Sequence, residues 1–112
     1  MASASNSKEL LIDSGALNHM MVEIESFSSL ETDKSIPIDM GDDSTIISEG
    51  QGTVDLQNGY FSNVLYVLSL ASNLLSIYQM THTGVPKRVS FSPNYFEIME
   101  LASRKLVVIK QN

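Results

Sequence analysis

The chain has 112 residues, 43% of them hydrophobic, with no cysteine and no tryptophan, a size that accommodates one small domain with a modest core and leaves no room for a second. Without cysteine there is no disulfide scaffold and no thiolate metal site, and no apolar run approaches the roughly 20 residues that span a bilayer. Seven Lys and Arg against 13 Asp and Glu give a formal charge of −6, so the surface as a whole repels phosphate backbones; neither nucleic acid nor a membrane is an expected partner.

Met1 to Ser7 lacks the charged and apolar regions of a signal peptide, which predicts an intracellular chain, and residues 1–7 read as a disordered linker ahead of one domain over 8–112. Leu10-Leu11-Ile12 is a short apolar run ending at Asp13, with Ser14-Gly15 marking a turn behind it; the pattern predicts a buried strand that delivers Asp13 to a loop. Ile36 to Met40 alternates with period two, and Pro37 points to a strand start or an edge. Gly41-Asp42-Asp43-Ser44 is a polar turn, and Thr45 to Ser48 resumes β-type residues, so the two runs form a hairpin. Gly52 to Leu56 alternates again, and Asn58-Gly59 is the strongest short hairpin signal in the chain, leading into Tyr60 to Val67.

One segment carries a helical period. From Asn73 to Thr83, Leu74, Ile77, Tyr78 and Thr81 fall at i, i+3, i+4 and i+7, with Ser72 or Asn73 as cap and Gly84 then Pro86 as stop. Val89 to Phe91, Tyr95 to Met99 and Leu106 to Ile109 are further predicted strands, with Ser92-Pro93-Asn94 as a turn. The sum is a mainly β domain with many short strands and one late helix.

The element that carries chemistry is Leu11-Ile12-Asp13-Ser14-Gly15-Ala16. A carboxylate at the end of an apolar strand is partly dehydrated, and the Ser and Gly behind it offer a hydroxyl and an unhindered backbone. Two such carboxylates within hydrogen-bond distance cannot both ionise, so they share one proton, one serving as base on a water and the other as acid. Asp-Ser/Thr-Gly by itself arises by chance in roughly one chain in twenty of this length, so the assignment has to rest on context.

That context is a set of blocks in fixed order: Leu10 to Ala16 with His19-Met20, then Gly41-Asp42-Asp43-Ser44, then Gly50-Gln51-Gly52-Thr53-Val54, then Asn63 to Val67, then Asn73-Leu74-Leu75-Ser76-Ile77 with Gln79. Together they resemble the protease region of copia-type retrotransposon polyproteins over about Leu10 to Phe91. The resemblance implies an all-β, retropepsin-like fold, a small closed β barrel with one short helix that works as a homodimer. It implies an aspartic endopeptidase without cofactor or metal that cuts its own Gag-Pol polyprotein in the cytoplasm, inside virus-like particles. Asp13 would be the catalytic acid and base. Ser14 would brace the partner's active-site loop, Gly15 would permit its close approach, and Ala16 would line the cleft floor. Gly41, Asp42, Asp43, Ser44, Thr45 and Ile46 would form the flap, and Asn73 to Met80 the helix that packs beneath the active-site loop. The chain departs from the family pattern at Leu10, where Trp is usual, at Leu68, where Pro is usual, and at Asp43, where Gly is usual; Gly adopts positive φ freely, whereas Asp does so with some strain.

A dyad needs two carboxylates and the chain has one Asp-Ser-Gly. Asp33, Asp39, Asp42, Asp43 and Asp55 are not followed by Ser/Thr-Gly, so two-fold symmetry is the simplest source of the second, with Asp13 facing its own mate. Leu106 to Ile109 could be an intersubunit strand or polyprotein beyond the protease, and the first is preferred. His19 reads as structural or surface because no nucleophilic Ser or Cys is placed to use it; His82 reads as a partner of helix-terminal carbonyls; Asp42 and Asp43 read as solvated turn residues rather than metal ligands. The rival from another class is a non-catalytic dimerisation or peptide-binding module that keeps the fold and has lost the chemistry.

Overall fold

A computed structural model describes residues 9–33, 35–40 and 42–111. The linker assigned to 1–7 and the first flap residue, Gly41, lie outside the described residues. The chain runs through β1 (Leu10–Asp13), β2 (Met20–Met21), a 3-10 turn (Ile24–Ser26), β3 (Phe27–Glu31), β4 (Pro37–Asp39), β5 (Thr45–Ile47), β6 (Gly50–Leu56), β7 (Gly59–Tyr66), β8 (Asn73–Ser76), α1 (Ile77–His82), β9 (Lys87–Phe91), β10 (Tyr95–Glu100) and β11 (Leu106–Gln111). The expected class holds: strands dominate and the one α-helix described is short.

The strands form a six-stranded sheet in the order β1-β8-β2-β7-β6-β3, a three-stranded sheet β11-β10-β9, and the two-stranded β4-β5 hairpin. Pro37 opens β4, where its missing N–H interrupts no ladder. The main core lies between the two larger sheets, joining Met21, Val54, Phe61, Val64, Leu75 and Met80 to Phe96, Ile98, Val107 and Val108. A second cluster of Met20, Ile38, Leu65 and Val67, with Ile36, Ile46, Leu70 and Leu74 against it, seats the β4-β5 hairpin on the opposite face. Neighbours Met20 and Met21, or Val64 and Leu65, thus serve different cores, as alternation on a strand requires.

Phe61 and Val64, three residues apart, nevertheless face the same core. The register of β6 against β7 passes from Gly52↔Val64 to Val54↔Phe61, so Ser62 and Asn63 together oppose Thr53, and Asn63 takes φ 58. This bulge resets the phase of the strand. Gly52 lies beside it: a Cβ there would stand 2.0 Å from the Ser29 carbonyl oxygen, so the close approach of β3 requires glycine.

Two expectations are corrected. The hairpin loop is Gln57-Asn58 rather than Asn58-Gly59, because Leu56 pairs with Gly59 and Gln57 takes φ 48. Gly59 answers to packing: a Cβ would lie 2.4 Å from Val107 Cγ1. The helix begins at Ile77, since Asn73 to Ser76, despite their helical spacing, pair in parallel with β1 as β8; the N-cap is Ser76, whose Oγ accepts from the Gln79 N–H at 3.1 Å. β11, at the edge of its sheet, is also part of the chain's own fold. Val107 and Val108 are buried in the chain's own core, and the loop of the β6-β7 hairpin grips the strand: Asn58 N–H donates to the Val107 carbonyl at 3.0 Å, and the Gln57 amide exchanges hydrogen bonds with the Ile109 backbone at 2.9 and 3.0 Å.

Candidate active site

β1 pairs with β8 from Leu10↔Asn73 to Asp13↔Ser76, so Asp13 sits half-buried where the strand gives way to its loop, as the sequence predicts, but β1 is an edge strand with Leu11 44% exposed rather than the buried strand expected. The Gly15 N–H donates to Asp13 Oδ1 at 2.8 Å, a local turn that fixes the carboxylate's orientation. A Cβ on Gly15 would meet that same oxygen at 3.4 Å. Ser14 is exposed at the loop tip, and Ala16 is half-buried.

The loop after Asp13 is tied down from beneath. Ser76 Oγ donates to the Ala16 carbonyl at 2.7 Å, and Gln79 Nε2 donates to the Leu17 carbonyl at 2.9 Å. The start of α1 therefore sits under the loop, close to where the family resemblance puts its helix. His19 completes the clamp. Its ring is buried, Nδ1 accepts the Ser76 N–H at 2.9 Å, and its carbonyl accepts from Leu65 N–H at 2.9 Å. With Nδ1 as acceptor, the neutral imidazole carries its proton on Nε2. The ring stands edge-on to Phe61 at 5.4 Å, and the Lys87 ammonium lies 5.0 Å from the Phe61 ring centroid. Burial, and secondarily the Lys87 charge, lower the His19 pKa from 6.5 to about 4. His19 is thus structural, one of the two readings the sequence left open. His82, at the other end of α1, stacks on Tyr78 at 4.5 Å and lies 3.2 Å from the Tyr78 carbonyl, as its position predicts.

Opposite the loop stands the β4-β5 hairpin, paired Pro37↔Ile47, Ile38↔Ile46 and Asp39↔Thr45. Between hairpin and loop is a cleft of about 440 Å³ lined on one side by Asp13, Gly15, Ala16 and Leu17 and on the other by Pro37, Ile38, Asp39 and Met40. The wall is therefore the strand ahead of the predicted flap residues, and Asp42 to Ile46 make the tip and the returning strand. At the tip the Asp42 carboxylate accepts from both the Ser44 hydroxyl and the Ser44 N–H, which holds its pKa below the usual carboxylate value. Asp43 takes φ 67, the left-handed backbone region that favours glycine. Ile46 packs into the second core and anchors the hairpin.

Sequence reasoning missed Asp39 as a cleft residue. Its motif neighbours gave no signal, and only the docking of β4 through Ile38 brings it to the same cavity as Asp13. Among the described residues no group of three or more His, Asp and Glu is placed to hold a metal ion, and no helix is long and apolar enough to cross a membrane. A family model described as Pol polyprotein, beta-barrel domain, matches residues 10–85, the span from the start of β1 to just short of β9. No curated protein and no solved structure gives a match.

Proposed function

We infer the function from one premise: this chain belongs to the Pol polyprotein beta-barrel domain family and is a region of a retroelement Pol polyprotein. We propose that it is the aspartic endopeptidase of a copia-type element, cutting its own Gag-Pol polyprotein in the cytoplasm within virus-like particles. The observation that carries this reading is the Asp13 carboxylate, fixed by the Gly15 N–H at a strand end and opening into a cleft whose far wall is a hairpin. An extended peptide fits between such walls, with apolar side chains against Leu17, Ile38 and Met40.

In the proposed mechanism two copies associate so that the Asp13 carboxylates share a proton. The ionised one takes a proton from water, whose oxygen bonds to the scissile carbonyl carbon, while the protonated one gives its hydrogen to the carbonyl oxygen. The resulting diol collapses as a proton reaches the amide nitrogen and the C–N bond breaks. Ser14, exposed at the loop tip, is free of the cleft floor and suited to brace the partner's loop. Ala16 and Gly15 leave room for the peptide.

The test is incubation of the protein with a peptide spanning a junction of its polyprotein, beside Asp13→Asn, with solution mass measured by sedimentation at the assay concentration. Cleavage by the parent alone, rising with the dimer fraction, is the expected result. Cleavage by neither protein where the parent is dimeric overturns the proposal and leaves the non-catalytic module, and equal cleavage by both overturns the assignment of the chemistry to Asp13.

A further inference from the structure

The net charge of −6 conceals a separation along the chain. Lys87, Arg88, Arg104, Lys105 and Lys110 are five of the seven Lys and Arg residues, whereas Glu97 and Glu100 are the only two of the 13 acids beyond residue 86. The three-stranded sheet β9-β10-β11 is thus a basic unit docked on an acidic one.

Four of these cations gather at one end of that sheet. Lys87 and Arg88 begin β9; Arg104 and Lys105 lie in the turn that joins β10 to β11, which is closed by Arg104 N–H to the Glu100 carbonyl at 2.9 Å and Glu100 N–H to the Lys105 carbonyl at 2.9 Å. Adjacent residues on a strand face opposite ways, and the structure shows the consequence. Lys87 turns inward, buried, with its ammonium donating to the Val85 carbonyl at 3.1 Å. Arg88 turns outward, paired across the ladder with Met99. On that outer face Arg88, Met99, Leu101 and Arg104 enclose a groove of about 320 Å³.

Two arginines therefore line one groove. Among the described residues neither guanidinium makes a hydrogen bond or an ion pair, and Glu97, two positions along the same face, bonds to neither. Like charges lining one groove without a counter-ion favour an anion there, and a carboxylate in the groove would take charge-assisted hydrogen bonds from the guanidinium forks. The groove's remaining walls are apolar, Met99 half-buried and Leu101 51% exposed.

We propose that this groove binds an acidic polypeptide segment, one whose carboxylates lie next to an apolar side chain: the carboxylate between Arg88 and Arg104, the apolar group on Met99 and Leu101. A peptide is favoured over nucleic acid because the groove is short and its basic end is small. A long polyphosphate would run from it onto a domain with 11 acids in residues 1–85. The proposal does not depend on proteolysis, because the groove is built from β9, β10 and the turn after β10, outside the family match.

The test measures fluorescence anisotropy of a labelled peptide of alternating Glu and Leu against the full chain, beside the same peptide with Gln for Glu, a single-stranded oligouridylate, and the double variant Arg88→Gln/Arg104→Gln. Both arginines are on the surface, so unchanged thermal unfolding serves as the folding control. Expected are binding of the Glu peptide that weakens with salt, binding of the Gln peptide weaker by about tenfold or more, and a comparable loss in the double variant. Undiminished binding of the Glu peptide by the double variant overturns the site. Arginine-dependent binding of oligouridylate in preference to the peptide overturns the partner class. An increase in mass without peptide that the double variant abolishes assigns the groove to a second copy instead.

Discussion

His19→Asn separates the geometric role of this side chain from its protonation. In the native protein Nδ1 accepts the buried Ser76 N–H at 2.9 Å, and Asn places its Oδ1 near the same point with nothing to titrate at that position. The folded His19 pKa is about 4, lowered from 6.5 first by burial and then by Lys87. A lowered histidine pKa means that the unfolded chain binds the proton more readily, so its stabilising contribution is full above pH 6.5 and is lost as pH falls from 6.5 toward 4. A difference of one in pKa between the folded and unfolded chain corresponds to about 1.4 kcal/mol, and between pH 7 and 4.5 this single group should cost about 2 kcal/mol. Urea unfolding followed by far-ultraviolet circular dichroism at both pH values measures it. His19→Asn begins less stable, because the edge contact with Phe61 is gone, but its loss between pH 7 and 4.5 should be smaller than the parent's by about 2 kcal/mol. Carboxylates that titrate in the same range act on both proteins and cancel. Equal losses in parent and variant would refute the argument that a neutral His19 holds the loop.

Asp39→Asn asks whether the second carboxylate comes from the same chain, since Asp39 lines the Asp13 cleft. If the dyad is formed by two Asp13 residues, this variant retains cleavage of the junction peptide and its dependence on dimer; loss of cleavage to the level of Asp13→Asn would transfer the role to Asp39. Asp43 takes φ 67 at the hairpin tip, so Asp43→Val should destabilise by about 1–2 kcal/mol, while Asp43→Gly should stay within about 1 kcal/mol of the parent. Thermal melts of the two variants decide it, and equal melting points would remove backbone strain from the account of the tip.

What the sequence made legible and what it hid divide along a physical line. β1, the β4-β5 hairpin, β6, β7 and the three late strands announce themselves by apolar runs or alternation bounded by turn residues, because each carries its own signal. Met20-Met21 carries none: two residues become β2 only because Met20 pairs with Leu65 and Leu74 on either side. β3 was hidden as well, since its Ser28 and Ser29 are exposed and its pairing with β6 slips at Phe27/Ser29. The sharpest override is at Asn73 to Ser76. Their helical spacing is real, but the parallel ladder with β1 and the bond from Val22 N–H to the Asn73 side-chain oxygen at 2.9 Å outweigh a weak local preference. For the site, Asp13 and its turn were readable because the motif is contiguous. The clamp formed by His19, Ser76 and Gln79 was not, because its members lie 57 and more residues from the groups they hold.

That clamp places two opposing proton requirements on one loop. Under the proposed mechanism the dyad works with a single shared proton, so the rate falls as pH rises and the second carboxylate ionises. His19 works unprotonated: an added proton at Nδ1 would confront the Ser76 N–H with another donor, beside a Lys87 ammonium in a cavity that Glu100 and Lys105 also line. The Ser76 hydroxyl that holds Ala16 belongs to the residue His19 positions, so acid that protonates the ring loosens the loop carrying Asp13. The two limbs of the pH-rate profile should then have different origins, chemical on the alkaline side and structural on the acid side. His19→Asn should move the acid limb alone, and a variant that moved the alkaline limb instead would show that the ring acts on the dyad rather than on the loop beneath it.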